Sequence, residues 1–407
     1  MLEIRTRQQE DIISKDLLSE AQLLYWKTSL VNDISIRSTQ ADLSSAWGRN
    51  KLGAGAKFAY SNTYNDSRYD TLTHDRGFVP DESRNFLFRY QEYISAAYIS
   101  WSNTIKRFTY SASIRVENTR TIADAPKIGE TTKRDLWHWL PSASIHFLID
   151  ENDQIQLNFS RRLTRPVFSD LYPFRIYNSP LNYFTGNPYL TPAVTTALNL
   201  SWAHGPFNAS FYIGRENDPL GRYPKYDPVT NILEYLGKNF DHRSFANLEI
   251  SWPIEVTKWW RMSNTVGWYY TKEYIPYFEY NFAVPVRYLT LNGSQVFTLP
   301  GKLTLDLSYY YKSVNGNSLY TSRPNSNIDI GLQRNWWKGK LNSKLSVHDI
   351  FNSYKIIYIF REKQLINNTL SHWPGMRRVA LTLSYNFGAS TFKAKQQSRS
   401  EEEGRAM

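Results

Sequence analysis

Apolar and polar residues alternate with period two through most of the chain. Between Gln154 and Ser160, Ile155, Leu157 and Phe159 share one face, and Gln154, Gln156, Asn158 and Ser160 the other. Thr196, Leu198, Leu200 and Trp202 interleave with Ala197, Asn199 and Ser201 in the same way. Successive strand side chains point to opposite faces, so each segment predicts a ribbon that is greasy on one side and wet on the other. The pattern returns at Phe108–Glu117, Phe207–Ile213, Ala246–Trp252, Leu303–Lys312 and Val379–Phe387. With the weaker segments it predicts about fifteen or sixteen strands of roughly ten residues.

Two kinds of connection alternate between these strands. Tight turns fall at Gly48–Lys51, Asn103–Lys106, Asp150–Asp153, His204–Pro206, Leu299–Lys302 and Trp336–Lys340. Long polar loops are expected near 63–84, 119–137, 164–192, 216–241, 271–285, 313–326 and 351–375. Strict alternation gathers the turns at one end of a cylinder and the loops at the other, as in transmembrane barrels. Ten residues at ~3.4 Å, tilted by ~40°, span roughly 26 Å, the height of a membrane barrel's apolar band. Sandwich strands are shorter, near five or six residues. The expected fold is therefore all-β: an antiparallel transmembrane β-barrel with short periplasmic turns and long extracellular loops. Trp101, Trp139, Trp202, Trp252, Trp259, Trp260, Trp336 and Trp337 at strand ends suit an interfacial girdle. The competing reading is a soluble all-β carbohydrate-binding module or glycosidase, with the same rings as sugar-stacking platforms.

Composition narrows the field. Aromatics make up 15% of 407 residues, and no run approaches the ~18 apolar residues of a spanning helix. Helical membrane proteins are excluded; barrels are not, because half of each strand is polar. The formal charge of +11 fits either a solvated basic surface or an anionic partner such as nucleic acid, lipopolysaccharide or an acidic solute. Lys and Arg are scattered, which argues against nucleic acid. With no cysteine, disulfide and thiolate-zinc designs are absent. Met1–Asp11 holds no apolar h-region, so no secretory signal is expected within this chain.

Candidate chemistry is sparse. The seven histidines are dispersed, and no zinc-protease, nucleophile-elbow, Walker or dinucleotide motif is present. Glu117 and Asp306 are the nearest approach to a glycosidase pair and read better as polar residues facing a lumen. No catalytic residue, metal ligand or cofactor is expected. Arg161, Arg162 and Arg165 stand at the base of a long loop, a place suited to contact with an anionic solute or, the favoured reading, to a structural role in which guanidinium forks bind strand-end carbonyls and carboxylates. Gly186-Asn187-Pro188 is turn chemistry, with Gly supplying a positive φ.

Several stretches carry a family resemblance in order along the chain: Gln40-Ala41-Asp42, Lys51–Lys57, Tyr90–Tyr98, Leu140-Pro141-Ser142, Arg162 with Arg165-Pro166, Leu171–Phe174, Gly186–Pro192, Asp349-Ile350-Phe351 and Ser384–Gly388. Together they resemble the barrel domain of TonB-dependent receptors, in the branch described as the outer-membrane β-barrel protein family. Tyr172 departs from it, standing where the family usually has Asn. The resemblance implies mainly structural roles for Arg162, Arg165, Pro166, Gly186, Asn187, Pro188, Asp349, Phe351, Tyr385 and Phe387. It implies outer-membrane lipid as surroundings and recognition of the last strand by the barrel-assembly machinery. It further implies import of a bulky, unspecified nutrient, driven by the TonB complex only if a plug is present. Relatives carry a plug and about twenty-two strands. This chain is therefore expected to be the C-terminal part of such a receptor, without plug or first strands. Residues 1–31 are expected to be a remnant or partial strand (8–24 suiting a short helix), 32–388 the barrel, and 389–407 a disordered periplasmic tail. Unpaired strand edges are costly in hydrocarbon, so the chain alone is expected to give no heat-modifiable folded band.

Overall fold

The computed structural model describes residues 2–15, 22–73, 75–277, 280–361, 367–387 and 401–405. An eighteen-stranded sheet dominates. Two of its strands, Gly77–Pro80 and Tyr280–Phe282, are short pieces; the other sixteen form one antiparallel meander. They are β1 Leu2–Lys15, β2 Gln22–Trp47, β3 Asn50–Thr73, β4 Phe86–Ile105, β5 Phe108–Ala125, β6 Glu130–Leu148, β7 Asp153–Thr164 and β8 Ala193–His204. There follow β9 Phe207–Asn217, β10 His242–Thr257, β11 Trp260–Tyr277, β12 Pro285–Leu299, β13 Leu303–Lys312, β14 Asn325–Trp336, β15 Leu341–His348 and β16 Arg378–Tyr385. Each pairs with the next in chain order, from β1 with β2 to β15 with β16. Among the described residues, the outer edge of β1 and the far edge of β16 have no strand partner.

Register shows which face is which. Directly paired residues point to the same side of a sheet. Leu289, Trp268, Leu248, Phe211, Leu200, Leu157 and Ile145 therefore make one row across seven strands, β12 back to β6. Every member of that row is exposed. Leu43, Ala54, Ile99 and Ile114 make a similar row on β2–β5, with Leu43 77% and Ile99 57% exposed. These rows do not meet in a dry interior, which removes the ground for a soluble sandwich. Apolar patches on that scale need a lipid partner. Polar exceptions on this face satisfy one another: Trp260 Nε1 donates to Gln295 Oε1 at 2.8 Å, Gln295 Nε2 to Tyr309 at 3.4 Å, and Tyr309 to Asn264.

Strand length departs from the ten-residue expectation, running from 8 residues in β15 and β16 to 26 in β2. From Trp47 to Arg37 is ten residues, ~33 Å along the strand and ~25 Å after a ~40° tilt. The first half of β2 therefore stands outside the apolar band. There both faces meet water or protein, so sequence alternation fades while backbone pairing continues. This corrects the loop expectations. The loop placed at 119–137 is strand on both sides of a short 3-10 turn at Pro126–Ile128, and those placed at 63–84 and 271–285 are also largely strand, within Asn50–Thr73, Gly77–Pro80, Trp260–Tyr277 and Tyr280–Phe282. Of the remnant, partial strand or short helix expected within residues 1–31, the described residues form strand, β1 and the start of β2, with Ile4 opposite Ile34 and Ile12 opposite Trp26. Residues 16–21 of the expected helix, Gly388, and residues 389–400 and 406–407 of the expected tail lie outside the described residues.

Candidate functional site

The loop after β7 folds inward over the concave face. A 3-10 turn, Phe168–Leu171, sets Phe168, Leu171, Tyr172 and Phe174 against Ile34 and Ile36 of β2, Phe88 and Tyr90 of β4, and Ala123 and Ala125 of β5. Phe168 meets Tyr90 edge-on at 6.3 Å between ring centroids, and Tyr172 meets Phe88 at 6.1 Å. Aromatic pairs in this geometry add about 0.5–1.5 kcal/mol beyond their buried area. Burial raises the Asp170 carboxyl above the usual carboxylate range and pushes the Tyr172 phenol up to about 12. The loop is tied at its far end as well, since Arg134 Nη1 donates to the Leu190 carbonyl at 3.1 Å.

Below this lid lies a ring of charge. Glu92 of β4 and Glu117 of β5 point inward and are 3% and 2% exposed. Glu117 is held by Arg115 at 2.6 Å and by Arg165 from the loop base. Arg405 Nη1 reaches Glu92 at 2.5 Å, Arg405 Nε donates to the Pro166 carbonyl at 3.1 Å, and Lys57 Nζ meets Glu402 at 2.7 Å. Glu402 and Arg405 of the expected disordered tail are thus buried against the concave wall, where these ion pairs retain them. Buried carboxylates on this scale require such partners.

The family-motif residues fall at three places. Arg165 and Pro166 belong to the charge ring, whereas Arg162 is exposed on β7 opposite Thr195. Gly186, Asn187 and Pro188 join two loops. Asn187 N–H donates to the Asp170 carbonyl at 2.7 Å, and its Nδ2 to the Gly237 carbonyl at 3.1 Å. Asn239 returns the clasp, accepting from Thr191 N–H at 2.9 Å. The loops complete a four-stranded sheet from Arg175–Ser179, Asn182–Thr185, Leu220–Asp227 and Ile232–Asn239. Gly186 does not take the positive φ expected of it; close backbone approach is what demands glycine. A Cβ there would lie 2.5 Å from the Tyr172 carbonyl and 2.6 Å from that of Asp170. Backbone cannot swing away, so Gly186→Ala is expected to cost about 1–3 kcal/mol. Limited proteolysis checks this: cleavage should begin between residues 165 and 192, while an unchanged pattern contradicts the packing argument.

Asp349 is fully buried at φ 45° and accepts from the N–H groups of Ser353 at 2.9 Å and Tyr354 at 3.2 Å. It shapes the loop after β15, beside His348, whose Nδ1 lies 3.1 Å from Asp329. Phe351, Tyr385 and Phe387 are exposed; the last two stack at 6.5 Å on the outward face at the turn end. Glu117 and Asp306 form no pair with each other: Asp306 meets Lys344 at 3.5 Å. Among the described residues no group of three or more His, Cys, Asp or Glu could hold a metal. Glu92 and Lys57 went unremarked as charges in the sequence, although both lie within motif stretches. The signal was parity: each occupies the face opposite the apolar row of its strand.

An outward apolar surface, an inward charged one, and turns and loops sorted to opposite ends define a transmembrane β-barrel wall. The chain belongs to the outer membrane protein beta-barrel family, whose model matches residues 4–385. It is accordingly a protein of the bacterial outer membrane. No curated protein sequence matches it. Among solved structures it is similar to the copper transporter OprC, at TM-score 0.63 and 13% identity over 94% of this chain and 61% of that one. It is also similar to the ferric-catecholate import receptor Fiu from K12 E. coli, at TM-score 0.58 and 12% identity over 94% of this chain and 60% of that one. The siderophore receptor PiuA from Acinetobacter baumannii gives TM-score 0.56 and 12% identity over 94% and 61%. At such identities the likeness is one of fold, and the chain spans about three fifths of each of these proteins.

Proposed function

We propose that this chain is most of the barrel wall of a TonB-dependent receptor that imports a bulky nutrient, with neither catalysis nor a resident cofactor. The reading is carried by the contrast between faces: exposed aliphatic rows outside, buried and ion-paired Glu92 and Glu117 inside. A concave face with fixed charges suits a polar plug and a polar cargo. The folded loops at the far end suit capture of solute from outside. In this reading the barrel-assembly machinery inserts the wall, and the TonB complex acts only through a plug. The uncovered edges of β1 and β16 require further strands, since each unpaired backbone group in hydrocarbon costs several kcal/mol.

The test is heat modifiability, the gel shift between unboiled and boiled barrel. The full chain by itself is expected to show none, and to gain it when a plug-and-strand segment of a family member is supplied. A heat-modifiable band from the chain alone would refute the partial-wall reading.

A further inference from the structure

The buried charges beneath the lid are of two kinds. Glu117 of β5 is neutralised by groups that come with the wall and the lid, Arg115 from its own strand and Arg165 from the loop base. Glu92 of β4 and Lys57 of β3 are satisfied differently. Among the described residues each makes one ion pair, Glu92 with Arg405 and Lys57 with Glu402, and both partners come from a segment outside the strands. Glu92 is 3% exposed and the Lys57 side chain 12%. A charge buried without a partner is strongly destabilising, so two such positions of opposite sign are shaped for an occupant that carries both signs.

Register sets the spacing of the two positions. Lys57 stands opposite Ala96, which lies four residues from Glu92 on the same face, ~13 Å along β4. Glu402–Arg405 matches that spacing. Its single helical turn is closed by Arg405 N–H donating to the Glu402 carbonyl at 3.3 Å. Side chains three residues apart share one face of such a turn. From that face Glu402 accepts from Lys57 Nζ with both carboxylate oxygens, at 2.7 and 3.0 Å. Arg405 reaches the other way and donates to Glu92 from both Nη atoms, at 2.5 and 3.4 Å.

Arg405 also holds the lid. Its Nε donates to the Pro166 carbonyl at 3.1 Å, and its guanidinium lies over the Phe168 ring, 4.7 Å from the centroid. Phe168 is the ring that meets Tyr90, two residues from Glu92 on the same face of β4. One guanidinium thus joins the wall to both the base and the apolar core of the lid. We infer that Lys57 and Glu92 form a recognition site for a turn carrying Glu and Arg three residues apart. Its occupant is Glu402–Arg405, and the docked turn latches the lid over the concave face. The inference rests on the wall reading, in which that face is the lumen.

Carboxypeptidase Y digestion, followed by intact mass, tests the latch on the full chain in the heat-modifiable barrel completed by the plug-and-strand segment. Trimming is expected to stall before Arg405 is removed, and to run past it once the sample is boiled. E92Q and K57E should each speed loss of Arg405 on the order of 10-fold, the smaller end of what hydrogen bonds to a charged group contribute, because cleavage follows the open fraction. The charge exchange K57E/E402K should return the rate to that of the parent. Proteinase K cleavage between residues 165 and 192 should rise in both single variants and fall back in the exchange. E92Q leaves no unpaired charge on the wall, so it reads the latch independently of K57E. Arg405 lost from the native parent as fast as from the boiled sample would overturn the latch. So would an assembled K57E/E402K no better protected than K57E, or lid cleavage that does not follow release of the turn. Failure of the wall reading shows separately, as tolerance of arginine in the aliphatic rows.

Discussion

Arg165→Met is expected to lower the stability of the assembled barrel by about 3–5 kcal/mol, the cost of leaving a buried charge without its partner. Glu117 is 2% exposed and divides its carboxylate between Arg165 and Arg115. Arg115 keeps 28% of its side chain in solvent and can neutralise only one side of the group. Loss of Arg165 also frees the base of the loop that covers Tyr90 and Ala123. Adding Glu117→Gln should restore most of the stability, because a neutral pair has little desolvation to offset. In the barrel completed by the plug-and-strand segment, the temperature at which the heat-modifiable band is lost measures both variants. A single variant as stable as the parent, or a double variant no better than the single, would refute the ion-pair account.

A second large effect belongs to the outer face. Leu200→Arg should cost about 2–4 kcal/mol, as arginine does on the lipid side near a bilayer midplane. Ser201→Arg, one residue on, should cost little. Ser201 pairs with Ser210 and Gln156 on the inward face, where a long cation reaches water. Leu200 sits between Phe211 and Leu157, both exposed, so the arginine has only hydrocarbon to enter. Urea titration of the barrel in lipid vesicles separates the pair. Equal tolerance at the two positions would mean that lipid does not cover the row.

Much of the wall was legible from period two alone. Where a strand crosses the apolar band, one face must be greasy and the other wet, and Gln154–Ser160 and Val379–Phe387 carry that signature openly. Legibility stopped where the band stops. Residues 119–125 and 130–135 remain paired strand, yet their outward face meets water and their inward face meets the folded loop, against which Ala123 and Ala125 pack, so no alternation marks them and their polarity reads as loop. The same reason hid β1, whose run Arg5-Thr6-Arg7-Gln8-Gln9-Glu10 has little apolar alternation. Asp349 and Asn187 were legible as motif members; what each holds was not. Gly186 was assigned to a turn although its constraint comes from carbonyls fourteen and sixteen residues earlier in the chain.

By itself, then, the sequence determined the spanning strands, their inward and outward faces, and the sorting of turns from loops. All three follow from local alternation imposed by a two-solvent environment. Only the tertiary structure decided how far the strands run beyond the membrane and how the loops clasp at Asn187 and Asn239. It alone brought Arg165 to Glu117 and Arg405 to Glu92. Those relations join residues distant in sequence through register and loop closure, and no local period encodes them.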